Sequence, residues 1–478
     1  MSTAAVYTTT RARSSSRARR PSISHQRARS LSNLSLSSPK FRPSLDLFSP
    51  LLEREGLSTL PLEIFQHICS FLHPLGPLAS YTSNSANDTR LDLLNLASVN
   101  KAFYSACSPR LFHTIDLRYC SVHRLGLFVD YALYQHASSI RILLYDFSSL
   151  NLFPESNPAA LRASYLSKML TTVERLESLS VHFGGLDSRN RWMNEGGVLQ
   201  AFRGLVDAVK DVGTSYSLKQ LEIYGPAPRP YPMALEVLDG LLARHATSLE
   251  DLTADRWTED SPNASSRLSN RLIASHITTL TLKGTFTPFI TLPTNLQNLS
   301  ILNPVNTDFF IDILPLLSTV AHSLTTFEWA GDSVLPEGFG LRPQAADEDE
   351  IKVEPIAFER LETIKFHPDS LSQPSSQFWE DELEALFLRT FSHPSTPLRK
   401  VEYSRNSHNL FIRTISPLLR LLQEKRVGAA GKMGLEEIRI GRSREWNWVM
   451  EEEWEKVEKW SKEVGVRLVW NARTLGRP

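Results

Sequence analysis

The chain has 478 residues, 41 % of them hydrophobic, and its 52 basic and 52 acidic side chains leave no net charge. Its three cysteines, Cys69, Cys107 and Cys120, are too few for a disulfide framework and lack the paired spacing of a metal site. No apolar run approaches the ~18–20 residues needed to span a bilayer, so a soluble protein of the cytoplasm or nucleus is expected.

The charge is uneven. Residues 1–50 carry nine basic side chains, from Arg11 to Arg42, against Asp46 alone. This Ser- and Arg-rich segment has few large apolar residues before Leu31, which predicts a disordered tail. The runs ending at Ser22 and Ser32 place a serine behind a cluster of arginines and resemble basophilic kinase sites. The tail reads either as a regulated docking segment or as a solvated one, and no motif for specific nucleic-acid recognition accompanies it.

Residues 57–117 contain short amphipathic helices. Pro61 suits the first turn of a helix, where its missing N–H costs nothing, and Glu63 sits near the positive end of the dipole. Ile64, Ile68, Phe71 and Leu72 then recur at helical spacing, and Phe65 and Cys69 widen the stripe. A second helix is signalled by Asp92 as a cap, with Leu93, Leu94, Leu96 and Val99 behind it. Phe103, Tyr104 and Ala106 continue the apolar pattern up to Pro109. A unit this small buries only a modest core, so surplus apolar surface points to a partner.

The order of these residues resembles the F-box, the adaptor-binding module of cullin-RING ubiquitin ligases. Leu60, Pro61, Glu63 and Ile64 match its opening. Asp92, Leu93, Leu96, Val99, Lys101 and Phe103 match its middle, and Pro109, Leu111, Phe112, Ile115 and Leu117 its end. The resemblance implies that Leu60, Pro61, Ile64, Ile68, Leu94 and Val99 contact a Skp-type adaptor and, through it, a cullin. Residues 73–91 form a longer link between the first two helices than the family usually has.

From residue 110 onward one pattern returns, with apolar residues at its first, fourth and sixth places. Leu176–Val181, Leu218–Ile223, Ile277–Leu282, Leu296–Ile301, Leu324–Trp329, Leu361–Phe366, Leu398–Tyr403 and Leu435–Ile440 carry it, as does Phe112–Leu117. Ile140–Tyr145 and Leu249–Ala254 are weaker copies. The fourth and sixth places alternate like a half-buried strand, and the first anchors the turn before it. Helical stripes lie between copies at Leu161–Val173, Val198–Val209, Leu235–Leu242, Phe309–Leu317, Leu383–Phe391 and Ile412–Leu422. Repeated strand–helix units favour a parallel sheet, and each unit must stack on its neighbours to hide its open face.

The fold class expected is therefore α/β, a small helical module at 57–117 followed by an array over 118–478. The array resembles an irregular leucine-rich-repeat solenoid. The family's ninth-place Asn is mostly absent and the spacing drifts, so backbone ladders are expected to be missing. Residues 336–355 read as an acidic loop, and Gly225–Pro232 as a stiff connection. Met450, Trp454, Val457 and Val464 share a helical face that reads as an end cap.

No catalytic, metal or cofactor motif is present. Gly428-Ala-Ala-Gly-Lys432 lacks the four-residue gap of a phosphate loop, and no His-Glu-x-x-His, Gly-x-Ser-x-Gly or Cys-x-x-Cys occurs. The expectation is a non-catalytic substrate receptor of an SCF-type ligase that presents a target protein for ubiquitin-dependent degradation. An adaptor-binding scaffold without ligase function, or a repeat-protein regulator of a GTPase or enzyme, remain alternatives. Candidate target contacts are the solvent-facing Tyr224, Lys283, Lys365, His367, Arg405, Arg439 and Arg442. The cations among the later copies favour an acidic or phosphorylated target.

Overall fold

The computed structural model describes residues 61–72, 92–118, 120–147, 158–183, 196–210, 216–225, 232–257, 275–286, 292–305, 309–331, 355–368, 390–391, 393, 395–403, 435–441, 455, 458–459, 461–463 and 465–471. All of them fall in the unit Pro61–Pro478. The expectations for residues 1–50 with Ser22 and Ser32, for Leu60, for the link at 73–91 and for Arg405 and Arg442 lie outside the described residues. So do the acidic stretch up to 354 and most of the two helices expected at 383–391 and 412–422.

Pro61 precedes helix α1 (Leu62–Leu72), and the Ile64 N–H donates to its carbonyl at 3.0 Å. A short helix α2 covers residues 92–97, and α3 spans Lys101–Leu111. Asp92 lies within α2 instead of ahead of it. The cap that is formed belongs to α3, where Asn100 Oδ1 accepts from the Phe103 N–H at 2.9 Å. Asn100→Ala should therefore cost about 1 kcal/mol of stability, read as a lower urea midpoint at unchanged slope. An unmoved midpoint would show that the cap contributes nothing.

Among the described residues, twelve strands form a single sheet in which every pairing is parallel and every strand lies beside its predecessor in sequence. They are β1 (Thr114–Asp116), β2 (Ile142–Asp146), β3 (Ser178–His182), β4 (Gln220–Tyr224), β5 (Asp251–Trp257) and β6 (Thr279–Phe286). The others are β7 (Asn298–Val305), β8 (Thr326–Gly331), β9 (Thr363–Pro368), β10 (Lys400–Tyr403), β11 (Glu437–Gly441) and β12 (Arg467–Asn471). This strand–helix array, with neighbours in sequence as neighbours in space, is compatible with a solenoid.

Register explains the repeating pattern. Fourth-place residues pair across the whole sheet, from Ile115 and Leu143 through Leu221, Leu299 and Ile364 to Ile438. They are buried, as are the first-place anchors Leu176, Leu218, Leu296, Leu361 and Leu435. The two weaker copies form full strands, β2 and β5. The expected end-cap face of Met450, Trp454, Val457 and Val464 lies outside the described residues. Helical residues at 461–463 give way at Gly465, with φ 75°, to the twelfth strand. In register Ile438 pairs with Leu468, so Gly465 occupies the first place where the other copies carry a large apolar residue.

Helices cover one face of this sheet. Val122–Leu127 runs through a π-helical turn, Phe128–Ala132, into Leu133–His136, together α4. Helices α5 (Pro158–Thr172), α6 (Gly196–Lys210) and α7 (Pro232–His245) follow, and Phe309–Ile313 with Leu314–Thr319 makes α8. Pro158 and Pro232 open their helices, so each starts three residues before its apolar stripe. At Gly240 a Cβ would stand 2.8 Å from Val209 Cγ2, so α7 approaches α6 more closely than any side chain would allow. The core lies between helices and sheet, and includes Phe202, Phe309, Phe327, Trp329 and Phe366.

A backbone ladder does run along the array, at the second place of each copy. The carbonyl of Glu177 accepts from the N–H groups of Lys219 and Gln220, and that of Lys219 from Glu250 and Asp251. The carbonyls of Thr278, Thr325 and Arg399 each take the same pair of donors from the next copy. These bonds need no particular side chain. Losing the ninth-place Asn therefore leaves the strand entrances tied together.

Candidate interaction surfaces

Helix α1 has two apolar sides. Phe65 and Cys69 are buried against α3, with the Phe65 ring edge-on to Phe103 at 4.5 Å and Cys69 Sγ 3.3 Å from Cys107 Sγ. Burial, then Cys69, pushes the Cys107 thiol up to about 12. Ile64 and Ile68 lie on the other side, 45 % and 37 % exposed. The next segment divides in the same way. Leu93 and Ala97 are buried, whereas Leu94 and Val99 are 48 % and 55 % exposed. Of the six residues expected to meet an adaptor, the five described (Pro61, Ile64, Ile68, Leu94 and Val99) all face solvent. Leu62, also exposed, joins them, although the apolar spacing did not single it out.

The helical module is joined to the array through His136, a buried residue at the end of α4. Its ring stacks on Phe112 at 3.5 Å, Nδ1 lies 3.1 Å from Ser108 Oγ, and Nε2 lies 3.3 Å from the Tyr104 hydroxyl. Burial lowers the pKa of this imidazole and favours its neutral form. A neutral ring has one nitrogen that donates and one that accepts, which suits two hydroxyl partners.

The second surface is the sheet face opposite the helices, formed by the third, fifth and seventh places. Over β8–β12 its cations are engaged by carboxylates. Lys365 and His367 approach Glu328 at 3.9 Å and 3.7 Å, Lys400 lies 4.0 Å from Glu437, and Arg439 and Arg467 both pair with Glu437. The expected row of target-facing cations is thus, at Lys365 and Arg439, a row of ion pairs, while burial lowers the pKa of His367 and favours its neutral form.

Over β1–β6 the balance is reversed. Asp116, Asp146, Glu222, Asp251 and Asp255 share this face with Arg118 and Lys283, and Arg118 is held by both oxygens of Asp116. Tyr224 is central. Its ring stacks on His182 at 4.1 Å, its hydroxyl donates to Glu222 Oε2 at 3.3 Å, and Lys283 Nζ sits 5.2 Å above the ring. The expected contacts Tyr224 and Lys283 are therefore brought together. Glu222 and Asp251, which the sequence reading did not select, stand at a fifth and a third place on adjacent strands.

Burial, then the Glu222 carboxylate, pushes Asp251 up to about 6. A raised carboxylate pKa means that the folded state binds the proton more tightly than the unfolded state. The associated penalty is absent below about pH 4 and grows as pH rises towards 6. Asp251→Asn removes it. The variant should gain about 1–2 kcal/mol at pH 7.5 and nothing at pH 4, as read from denaturant melts at the two pH values. An equal gain at both would assign the effect to something other than charge.

Among the described residues, no helix is long and apolar enough to cross a membrane. Comparison with known proteins returned no family model that matches the chain and no curated protein that matches it.

Proposed function

We propose that this protein is a substrate-receptor subunit of an SCF-type ubiquitin ligase, with an F-box-like module at its start and an irregular leucine-rich-repeat-like array behind it. The observation that carries the reading is the division of α1 and α2. Phe65, Cys69, Leu93 and Ala97 complete the module's own core, while Ile64, Ile68, Leu94 and Val99 remain exposed at the positions the resemblance assigns to a Skp-type adaptor. Burying such side chains is worth roughly 1.5–3 kcal/mol each, a large drive towards a partner.

In this reading the module holds the adaptor and the cullin, and the array holds a target protein. Catalysis is supplied elsewhere, and the receptor contributes proximity by raising the local concentration of target lysines beside a charged ubiquitin thioester. The work would take place in the cytoplasm or nucleus. The basic segment 1–50 is then a regulatory arm, with Ser22 and Ser32 as its phosphorylation sites.

The test is direct. Purified full-length protein should be captured by a Skp-type adaptor, and a Leu60/Pro61/Ile64 triple Ala variant should not. Equal capture of both, or of neither, removes the reading. Cullin in the same complex separates a ligase subunit from an adaptor-bound scaffold.

A further inference from the structure

Cys69 and Cys107 stand side by side in the small core that joins α1 to α3. Their Sγ atoms are 3.3 Å apart, both side chains are buried, and they lie 38 positions apart in the chain. One turn back along α1, the Phe65 ring against Phe103 continues the same contact. A disulfide bond is ~2.0 Å long, so the two sulfurs need to approach by little more than ~1 Å to be joined. Cys120, the third cysteine, lies against the core of the array.

Packing decides when such a bond can form. Burial, then the neighbouring Cys69, keeps the Cys107 thiol protonated at neutral pH, and it is the thiolate that reacts with oxidants. The packed module is therefore slow to oxidise. A small helical unit opens locally far more often than the whole protein unfolds, and on opening its thiols meet water and regain ordinary acidity. A thiolate then attacks one oxygen of hydrogen peroxide and the O–O bond breaks, which leaves a sulfenic acid and hydroxide. The second thiol attacks the sulfenic sulfur, forms the S–S bond and releases water. Two thiols and one peroxide thus give one disulfide and two waters. A thiol without a neighbour would pass on to the irreversible sulfinic acid and bring a charge into the core. A partner at 3.3 Å intercepts that step.

We propose that Cys69 and Cys107 are a redox latch, which peroxide closes into a reversible disulfide that staples α1 to α3. Helix α3 is already fixed to the array through His136, so the latch extends that joint to α1. Ile64 and Ile68 lie on the other side of α1, and the bond leaves that side free. The inference needs no assumption about what the free side binds. A cross-link between positions this far apart removes much of the freedom of the opened state, and opening of α1 should become at least ~10-fold rarer.

The experiment uses full-length protein carrying Cys120→Ser, so that no third thiol can exchange. It is treated with hydrogen peroxide at neutral pH, remaining thiols are alkylated, and its peptides are read by mass spectrometry. A peptide pair linked through Cys69 and Cys107 within one chain should form and should disappear with dithiothreitol. Hydrogen exchange of the α1 amides should be at least ~10-fold slower in the linked form. In Cys107→Ala, Cys69 should advance to the sulfinic acid, and peroxide should no longer slow exchange in α1.

Full alkylation of both thiols after peroxide overturns the inference, as does oxidation of each to the sulfinic acid without a linkage. A link found only between two chains overturns it as well. Unchanged or faster α1 exchange in the linked form would make the bond a lesion and not a latch. These outcomes are read with both cysteines in place, so they stand even if Cys107→Ala fails to fold.

Discussion

Ile64→Lys combined with Leu94→Lys should weaken adaptor capture at least ~100-fold while leaving the melting temperature nearly unchanged. Both side chains are close to half exposed in the free protein, so replacing them removes little from its own core. In a complex each would be buried, and two such burials at roughly 1.5–3 kcal/mol correspond to at least two factors of ten in affinity. A charge placed in an apolar contact adds a desolvation cost to that loss. The contrasting variant is Phe65→Ala, one position along the helix, whose ring packs on Phe103. It should cost ~3–5 kcal/mol of stability and lose capture only because the module loosens. Undiminished capture by the double Lys variant would refute the adaptor assignment whatever Phe65→Ala does.

The second large effect concerns the array. Phe391 is fully buried and lies 5.4 Å from Phe327, 5.5 Å from Phe358 and 6.3 Å from Phe309, so one ring joins residues from several successive copies. Phe391→Ala should destabilise the protein by ~3–5 kcal/mol, since the cavity opens at a junction and not at a free end. Repeat arrays are stabilised mainly by contacts between neighbours. The loss should therefore weaken the coupling between the parts before and after the junction and broaden the unfolding transition. Tryptophan fluorescence can follow this, because Trp329 packs edge-on to Phe309 at 5.3 Å within the same cluster. A loss below ~1 kcal/mol with an unchanged transition width would mean that the aromatic cluster does not couple the copies.

Strand positions were legible in the sequence because each copy repeats the same physical demand. An apolar anchor precedes the strand and two alternating residues face the helices, as at Leu296, Leu299 and Ile301, all buried. The last strand broke that template, since Gly465 turns the chain with a positive φ where the others place an anchor. Helix α4 was missed for a different reason. Its stripe is shared with exposed Leu127, Tyr131 and Tyr134, which blur the apolar period, and a π turn shifts the spacing midway.

Candidate contacts were only partly readable for a reason that lies in the register. The sequence shows that Lys365 occupies an outward place, and it does not show that Glu328 stands beside it, whereas the Glu437 that pairs with Arg439 is only two residues away on the same strand. Pairing across strands is a property of neighbours far apart in sequence, and it turned an apparent basic strip into a neutral one. The two sides of α1 were equally ambiguous as one broad stripe. Only the position of α3 decides that Phe65 is core and Ile64 is surface.

The His136 joint gives the molecule the character of a ruler. One imidazole stacked on Phe112 and bonded to Ser108 and Tyr104 fixes α3 against α4 at several points, so the first helices cannot swivel independently of the strands that follow. A swivelling receptor would spread its cargo over many distances from the ubiquitin donor and dilute each. Under the proposed receptor function, a stiff joint would let the length of the array set the distance at which cargo is offered, and the lysine that is modified would depend on where along the sheet a bound protein docks.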